Sequence, residues 1–128
     1  MIVGFTGSRK GLNASQLRKI REYLDTEQIT EVHHGDCVGA DAAFHKIALS
    51  LDKKIVIHPP NSPKMRFKGV GEVLPAKPFL DRNKDIVRAS DVMIACPESS
   101  EEVLRSGTWT TIRFAKKTNT ALVLLPFH

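Results

Sequence analysis

Apolar positions along this chain fall into two alternating rhythms. Five short runs, residues 2–6, 30–34, 54–58, 91–96 and 121–125, read as strands, and most are apolar without interruption, the pattern of strands covered on both faces. Between them the spacing becomes helical. Asn13 is placed to cap a first helix, with Gln16 three residues on as in a capping box, and Leu17, Ile20 and Leu24 then share one face. Ala40, Phe44, Ile47, Ala48 and Leu51 make a second stripe. A third, shorter helix is predicted over residues 82–89 around Ile86, and a fourth over about 107–117. The fourth buries Ile112 and Ala115, places Lys116 and Lys117 at its negative end, and meets Asn119 as a left-handed stop. Strands and helices in alternation predict an α/β domain with a mostly parallel sheet, here of five strands.

One stretch breaks the rhythm. Residues 59–80 hold five of the chain's seven prolines, and four cations, Lys64, Arg66, Lys68 and Lys77, stand there against the single carboxylate Glu72. Such a segment reads as a long basic loop, either solvated or folded as a flap over an anionic ligand. Of these two, the flap is the expectation carried forward.

The 128 residues suit one domain, residues 1–128, with a core of its own. Hydrophobic residues are 41% of the chain and charged residues 26%, an ordinary globular balance. No apolar run approaches the roughly 20 residues of a membrane span, and the opening residues lack a basic leader, so a cytoplasmic protein without membrane partners is expected. Cys37 and Cys96 have no C-x-x-C spacing and read as buried thiols. His33 and His34 are successive on a strand and point to opposite faces, which argues against a shared metal; no metal and no cofactor is expected. The formal net charge of +5 favours anionic ligands without demanding nucleic acid.

Candidate chemistry lies in three glycine-rich turns, each after an apolar run and before a helical pattern. They are Gly7-Ser8-Arg9, the stretch from His34 to Asp41 containing Gly35, Asp36 and Gly39, and Ser106-Gly107-Thr108. A turn so placed can aim free backbone N–H groups at an anion. In an open parallel sheet the ligand crevice lies beyond the carboxyl ends of the strands, where strand order reverses. With the first and fourth strands as neighbours, Gly7, Ser8 and Arg9 and the pair Pro97-Glu98 flank that crevice, with the turn before Asp41 alongside. Gly7 allows close approach, Ser8 offers a hydroxyl, and Arg9 a forked donor for phosphate. Asp41 is placed either to cap its helix or to bind ribose hydroxyls. Gly107 and Thr108 open the fourth helix and are the strongest phosphate candidates. Trp109, the only tryptophan, is either core or a platform for a base or ring.

In order, the pieces Gly7-Ser8-Arg9, Gly35-Asp36-Cys37-Val38-Gly39-Ala40-Asp41, Arg82-Asn83-Lys84-Asp85 and Ser106-Gly107-Thr108-Trp109 resemble the SLOG superfamily. That group joins DprA/Smf DNA-processing proteins, LOG "lysine decarboxylase-like" phosphoribohydrolases and small nucleotide-binding domains. The resemblance implies a Rossmann-like three-layer sandwich with a nucleotide or nucleotide-derived ligand, and it brings Arg82 and Asn83 into the site. It also implies a homo-oligomer. LOG enzymes cleave the N-glycosidic bond of nucleoside monophosphates, and Arg82 and the Gly107-Thr108 pair match their signature. Thr111, however, stands where that signature has glutamate, and a hydroxyl does not replace a carboxylate. Glu98, Glu101 or Glu102 is the available substitute, so Arg82 and Glu98 are the candidate catalytic pair. Binding of an ADP-ribose-like or nucleoside phosphate ligand is the first expectation and hydrolysis the second. Single-stranded DNA binding comes third, because the aromatics for base stacking are few.

Overall fold

The computed structural model describes residues 1–126. Six strands, β1 (Ile2–Gly7), β2 (Glu31–His34), β3 (Lys54–Ile57), β4 (Glu72–Val73), β5 (Val92–Cys96) and β6 (Ala121–Leu124), form one sheet in the order β4-β3-β2-β1-β5-β6. All pairings are parallel. The sheet therefore has one strand more than the five expected. The added strand, β4, is two residues long and pairs with β3 at the sheet edge. Its brevity and the surrounding prolines hide it from any periodicity.

Four helices of eleven residues each connect the strands: α1 (Ala14–Leu24), α2 (Ala40–Ser50), α3 (Phe79–Ala89) and α4 (Gly107–Lys117). Parallel neighbours need crossovers, and right-handed crossovers on either side of β1 place α1 and α2 on one face and α3 and α4 on the other. β5 shows the resulting alternation. Ile94 and Cys96 join the cluster of Phe5, Ile20, Phe44 and Ile47, whereas Met93 packs with Ile86, Val87 and Ala115, and Ala95 with Trp109 and Ile112.

The helix ends follow the local chemistry. The Asn13 side chain accepts from the Gln16 N–H at 2.8 Å and Gln16 Oε1 accepts from the Asn13 N–H at 2.9 Å, completing the capping box. Ser106 caps α4 by accepting from the Trp109 N–H at 3.2 Å, and Asn119, at φ 58°, supplies the left-handed stop. The third helix starts three residues earlier than predicted. Pro78, with φ fixed at −54°, occupies its N-cap, so Phe79 and Leu80 belong to the helix and not to the loop.

The basic stretch is largely folded. A 3-10 turn at Pro63–Met65 precedes β4, and the stretch closes on itself through Asn61 N–H to Lys77 O at 3.0 Å and Lys77 N–H to Pro59 O at 3.2 Å. The Lys77 ammonium is tied to Asp85 of α3 at 2.6 Å.

Candidate functional site

The chain runs outward from β1 through β2 and β3 to β4, then returns across β1 to β5 and β6. Order reverses between β1 and β5, and at their carboxyl ends lies a cavity of about 530 Å³, well within the range of small-molecule sites. Gly7, Ser8 and Arg9 form one wall, Gly35 and Asp41 another, Arg82 and Asn83 of α3 a third, and Ser106, Gly107 and Thr108 the fourth. Glu98 stands at the rim. Eleven of the residues singled out from the sequence thus meet around one space.

Arg82 is the centre of this arrangement. It is only 6% exposed. Its Nη1 donates to the carbonyls of Gly35 and, at 3.0 Å, His58; its Nη2 donates to Cys37 Sγ at 3.2 Å, and its Nε to Asn83 Oδ1 at 2.6 Å. Neutral acceptors hold it. Among the described residues no carboxylate lies within ion-pair distance of its guanidinium. A buried cation with no direct ion pair, and only the more distant Asp41 carboxyl as counter-charge, favours an anion entering the space beside it. Gly35 is needed for this packing, because a Cβ there would fall on the guanidinium.

Phe79 supports the same guanidinium from one side. Its ring centroid lies 5.2 Å from the guanidinium carbon of Arg82 and 5.4 Å from that of Arg9, cation–π distances that orient both arginines. Sequence reasoning missed Phe79, although it precedes Arg82 by three residues and so shares its helical face. It was hidden by the proline-dense stretch in which it sits. Cys37, a buried thiol as the sequence suggests, is also part of the wall; burial, with the Asp41 carboxylate beside it, pushes the thiol pKa up.

At the opposite wall, the Gly107 and Thr108 N–H groups open α4 and have no intrahelical acceptor. A Cβ at Gly107 would meet nothing within 4 Å, so the space over this helix end is open for a ligand. Arg9 is exposed, and its cation stands at the mouth of the cavity.

Asp41 is buried and accepts from the Cys37 N–H at 3.1 Å. Burial pushes its carboxyl pKa up to about 6, against the opposing pull of Arg82 and the Cys37 N–H. The cavity therefore contains one acid that exchanges its proton close to neutral pH.

The turn from His34 to Asp41 is poorly suited to an anion. Four of its donors are consumed within the protein: Asp36 N–H by His34 Nδ1, Cys37 N–H by Asp41, Val38 N–H by Met65 O and Ala40 N–H by Ser8 O. Gly39, at φ 92°, serves packing, since a Cβ there would fall on the Arg9 carbonyl. Asp36 is turned away from the cavity. It is fully buried and accepts from Arg66 Nε at 2.9 Å, Lys68 N–H at 3.1 Å and Gly69 N–H at 2.9 Å. This is why the basic stretch is no flap: Asp36 ties it to the turn after β2, and Lys64, Arg66 and Lys68 do not line the cavity.

Three further expectations are corrected or narrowed. Pro97 borders a smaller hollow with Cys96 and Lys10, outside the main cavity. Trp109 is 5% exposed and packed against Ala95 and Ile112, so its ring is core and its faces are closed to stacking. Glu98 is an exposed side chain paired with Lys10 at 2.5 Å, and Glu102 is taken by Arg113 at 2.7 Å. Thr111, at the position of the LOG glutamate, is buried and donates to Gly107 O at 2.9 Å.

His33 and His34 do face opposite ways. His33 Nδ1 lies 2.8 Å from His58 Nε2 with its Nε2 2.6 Å from Glu31, while His34 Nε2 lies 2.9 Å from His45 Nδ1. Because His34 Nδ1 accepts from Asp36, its proton sits on Nε2 and is donated to His45.

No protein-family model and no curated protein sequence matches the chain. Solved structures do. The molybdenum cofactor binding protein of Rippkaea orientalis is similar over 99% of this chain and 77% of its own, with TM-score 0.77 and 20% identity. The Moco carrier protein of Chlamydomonas reinhardtii is similar over 97% and 75%, with TM-score 0.72 and 18% identity. DNA processing protein A of Helicobacter pylori, described for its single-stranded DNA binding mode, is similar over all of this chain and 66% of its own, with TM-score 0.72 and 19% identity. At these identities the likeness is one of fold. Among the described residues no helix is long and apolar enough to cross a membrane. Six parallel strands whose order reverses at β1, together with these likenesses, give the chain a Rossmann-like α/β fold, the fold that the order of its motifs implied.

Proposed function

We propose that the chain binds a nucleotide or nucleotide-derived small molecule, ADP-ribose-like or a nucleoside phosphate, for sensing, delivery or sequestration. The observation that carries this reading is Arg82: a residue 6% exposed, whose guanidinium has no carboxylate within ion-pair distance among the described residues, lining a 530 Å³ cavity together with the open N-terminus of α4. A phosphate in that space gains the N–H groups of Gly107 and Thr108, the field of the helix, and the charge of Arg82 and Arg9. Two of the structurally similar proteins are named for a molybdenum cofactor, which supports a discrete molecule over a polymer as ligand. The position of the basic stretch supports the same preference, because its cations do not continue the cavity into a strand-length track.

The test is calorimetry with nucleoside mono- and diphosphates on wild type, Gly107→Val and Arg9→Ala. Gly107→Val fills open space, so it should fold normally and lose binding by tenfold or more. Arg9→Ala should cost less, about 1 kcal/mol, because its side chain is exposed. Unchanged affinity in a folded Gly107→Val would remove the site.

Asp41 favours a second reading, hydrolysis of the N-glycosidic bond of a nucleoside monophosphate. An acid with pKa about 6 inside the cavity is suited to protonate a departing base, a role that Glu98, held by Lys10 at the rim, is poorly placed to fill. If this reading holds, wild type releases free base from a nucleoside monophosphate and Asp41→Asn does so at least about a hundredfold more slowly. Chromatography showing no free base from wild type would leave binding alone.

A further inference from the structure

We propose that the hollow beside the anion cavity is a second subsite, which receives the ring of the same ligand through the indole N–H of Trp109. The hollow is lined by Glu98, Ser99, Ser100, Val103, Ser106 and Trp109, and it shares Glu98 and Ser106 with the main cavity. One helical turn joins the two spaces. Gly107 and Thr108 face the first, Trp109 borders the second, and the Ser106 hydroxyl locks that turn by accepting from the Trp109 N–H.

The indole Nε1–H is buried and has no acceptor among the described residues, while Trp109 as a whole is 5% exposed. Indole nitrogen only donates. A buried donor left unpaired is destabilising, and phenylalanine would pack on Ala95 and Ile112 without that penalty. An acceptor supplied from outside the chain accounts for the tryptophan. Stacking does not, because the ring faces lie in the core.

The walls define what the occupant carries. Nε1 asks for an acceptor, the Glu98 carboxylate, with Oε1 on Lys10, can still accept a further donor, and the Ser99 and Ser100 hydroxyls serve either. A heteroaromatic ring with a ring nitrogen or carbonyl beside an amino or imino N–H meets all three, which is the hydrogen-bonding edge of a nucleobase. Nε1 is enclosed, so the ring reaches it as the wall segment 98–105 yields outward. That segment is exposed along nearly its whole length and is tied down by Arg113, through Glu102 at 2.7 Å and Leu104 O at 2.9 Å.

This inference rests on the phosphate reading of the first cavity, and the experiment separates the two. Ribose 5-phosphate, which has the phosphate and no base, is titrated by calorimetry alongside AMP, GMP, CMP and UMP into wild type and Trp109→Phe. The emission of the single tryptophan is followed in wild type. The best nucleotide should bind wild type about tenfold more tightly than ribose 5-phosphate, and this ratio should fall five- to tenfold in Trp109→Phe. Tryptophan emission should shift with that nucleotide and stay constant with ribose 5-phosphate. If both probes bind wild type but the ratio survives in Trp109→Phe, or the emission is silent to the nucleotide, the subsite is wrong and the anion site stands. If neither probe binds wild type, the anion site itself is wrong and the subsite falls with it. The emission measurement needs no variant, so it decides the matter even if Trp109→Phe does not fold.

Discussion

At the scale of single residues, this site depends on which polar groups are already satisfied. Arg82 and Asp36 are both buried ions, and they have opposite fates. Asp36 has a full complement of donors, the Arg66 guanidinium and two backbone N–H groups, and so is structural. Arg82 is hydrogen-bonded only to neutral acceptors, and on the proposed reading its charge is available to a ligand. The difference is testable through Asp36. Asp36→Ala leaves the Lys68 and Gly69 N–H groups without acceptors inside the protein and frees Arg66, which water can reach. Urea unfolding should show a loss of about 2–4 kcal/mol, while nucleotide affinity falls far less, because none of the released groups lines the cavity. An Asp36→Ala protein as stable as wild type, or one that has lost its ligand while remaining folded, would mean that the carboxylate belongs to the site after all.

At the scale of elements, the chain announced its strands and helices well wherever period and caps agreed. Asn13 with Gln16, and Ser106 with the αL residue Asn119, marked helix ends that the fold reproduces. The neighbouring placement of the first and fourth predicted strands, now β1 and β5, set the crevice where the structure has its cavity. What stayed hidden shares a physical cause: it depends on contacts between residues distant in sequence. β4 exists because β3 offers an edge, and no two-residue strand has a period to read. The start of α3 was masked by Pro75 and Pro78, so Phe79 was assigned to a loop. The turn ending at Asp41 looked as ready for an anion as the other two, but its N–H groups meet acceptors from Ser8 and Met65, which only the folded chain brings near. Sequence shows where a helix begins; it does not show whether that beginning is already occupied.

At the scale of the whole molecule, the buried histidines bind folding to pH. His34 is held down to about 3, first by burial and then by the charge of His45; His58 is held down to about 4, first by burial and then by His33; burial lowers His45 as well. In the unfolded chain these rings titrate near 6.5. Below that pH the unfolded state binds protons that the folded state refuses, so stability is fully present above pH 6.5 and is lost progressively as pH falls toward the folded values. Asp41 works the other way. Its folded pKa of about 6 lies above the ordinary value of 3.8, so between those pH values the folded state is the one that holds the extra proton, and acidification relieves the cost of burying its charge. Three rings oppose one carboxyl, and the rings prevail. Stability should therefore decline from pH 7 to pH 4.5, with a slope of roughly 1.4 kcal/mol per pH unit for each net proton taken up on unfolding. Urea midpoints measured at pH 7.5, 6 and 5 should fall in that order. Midpoints that hold constant or rise on acidification would show that the rings of His34, His45 and His58 are not kept neutral in the folded protein.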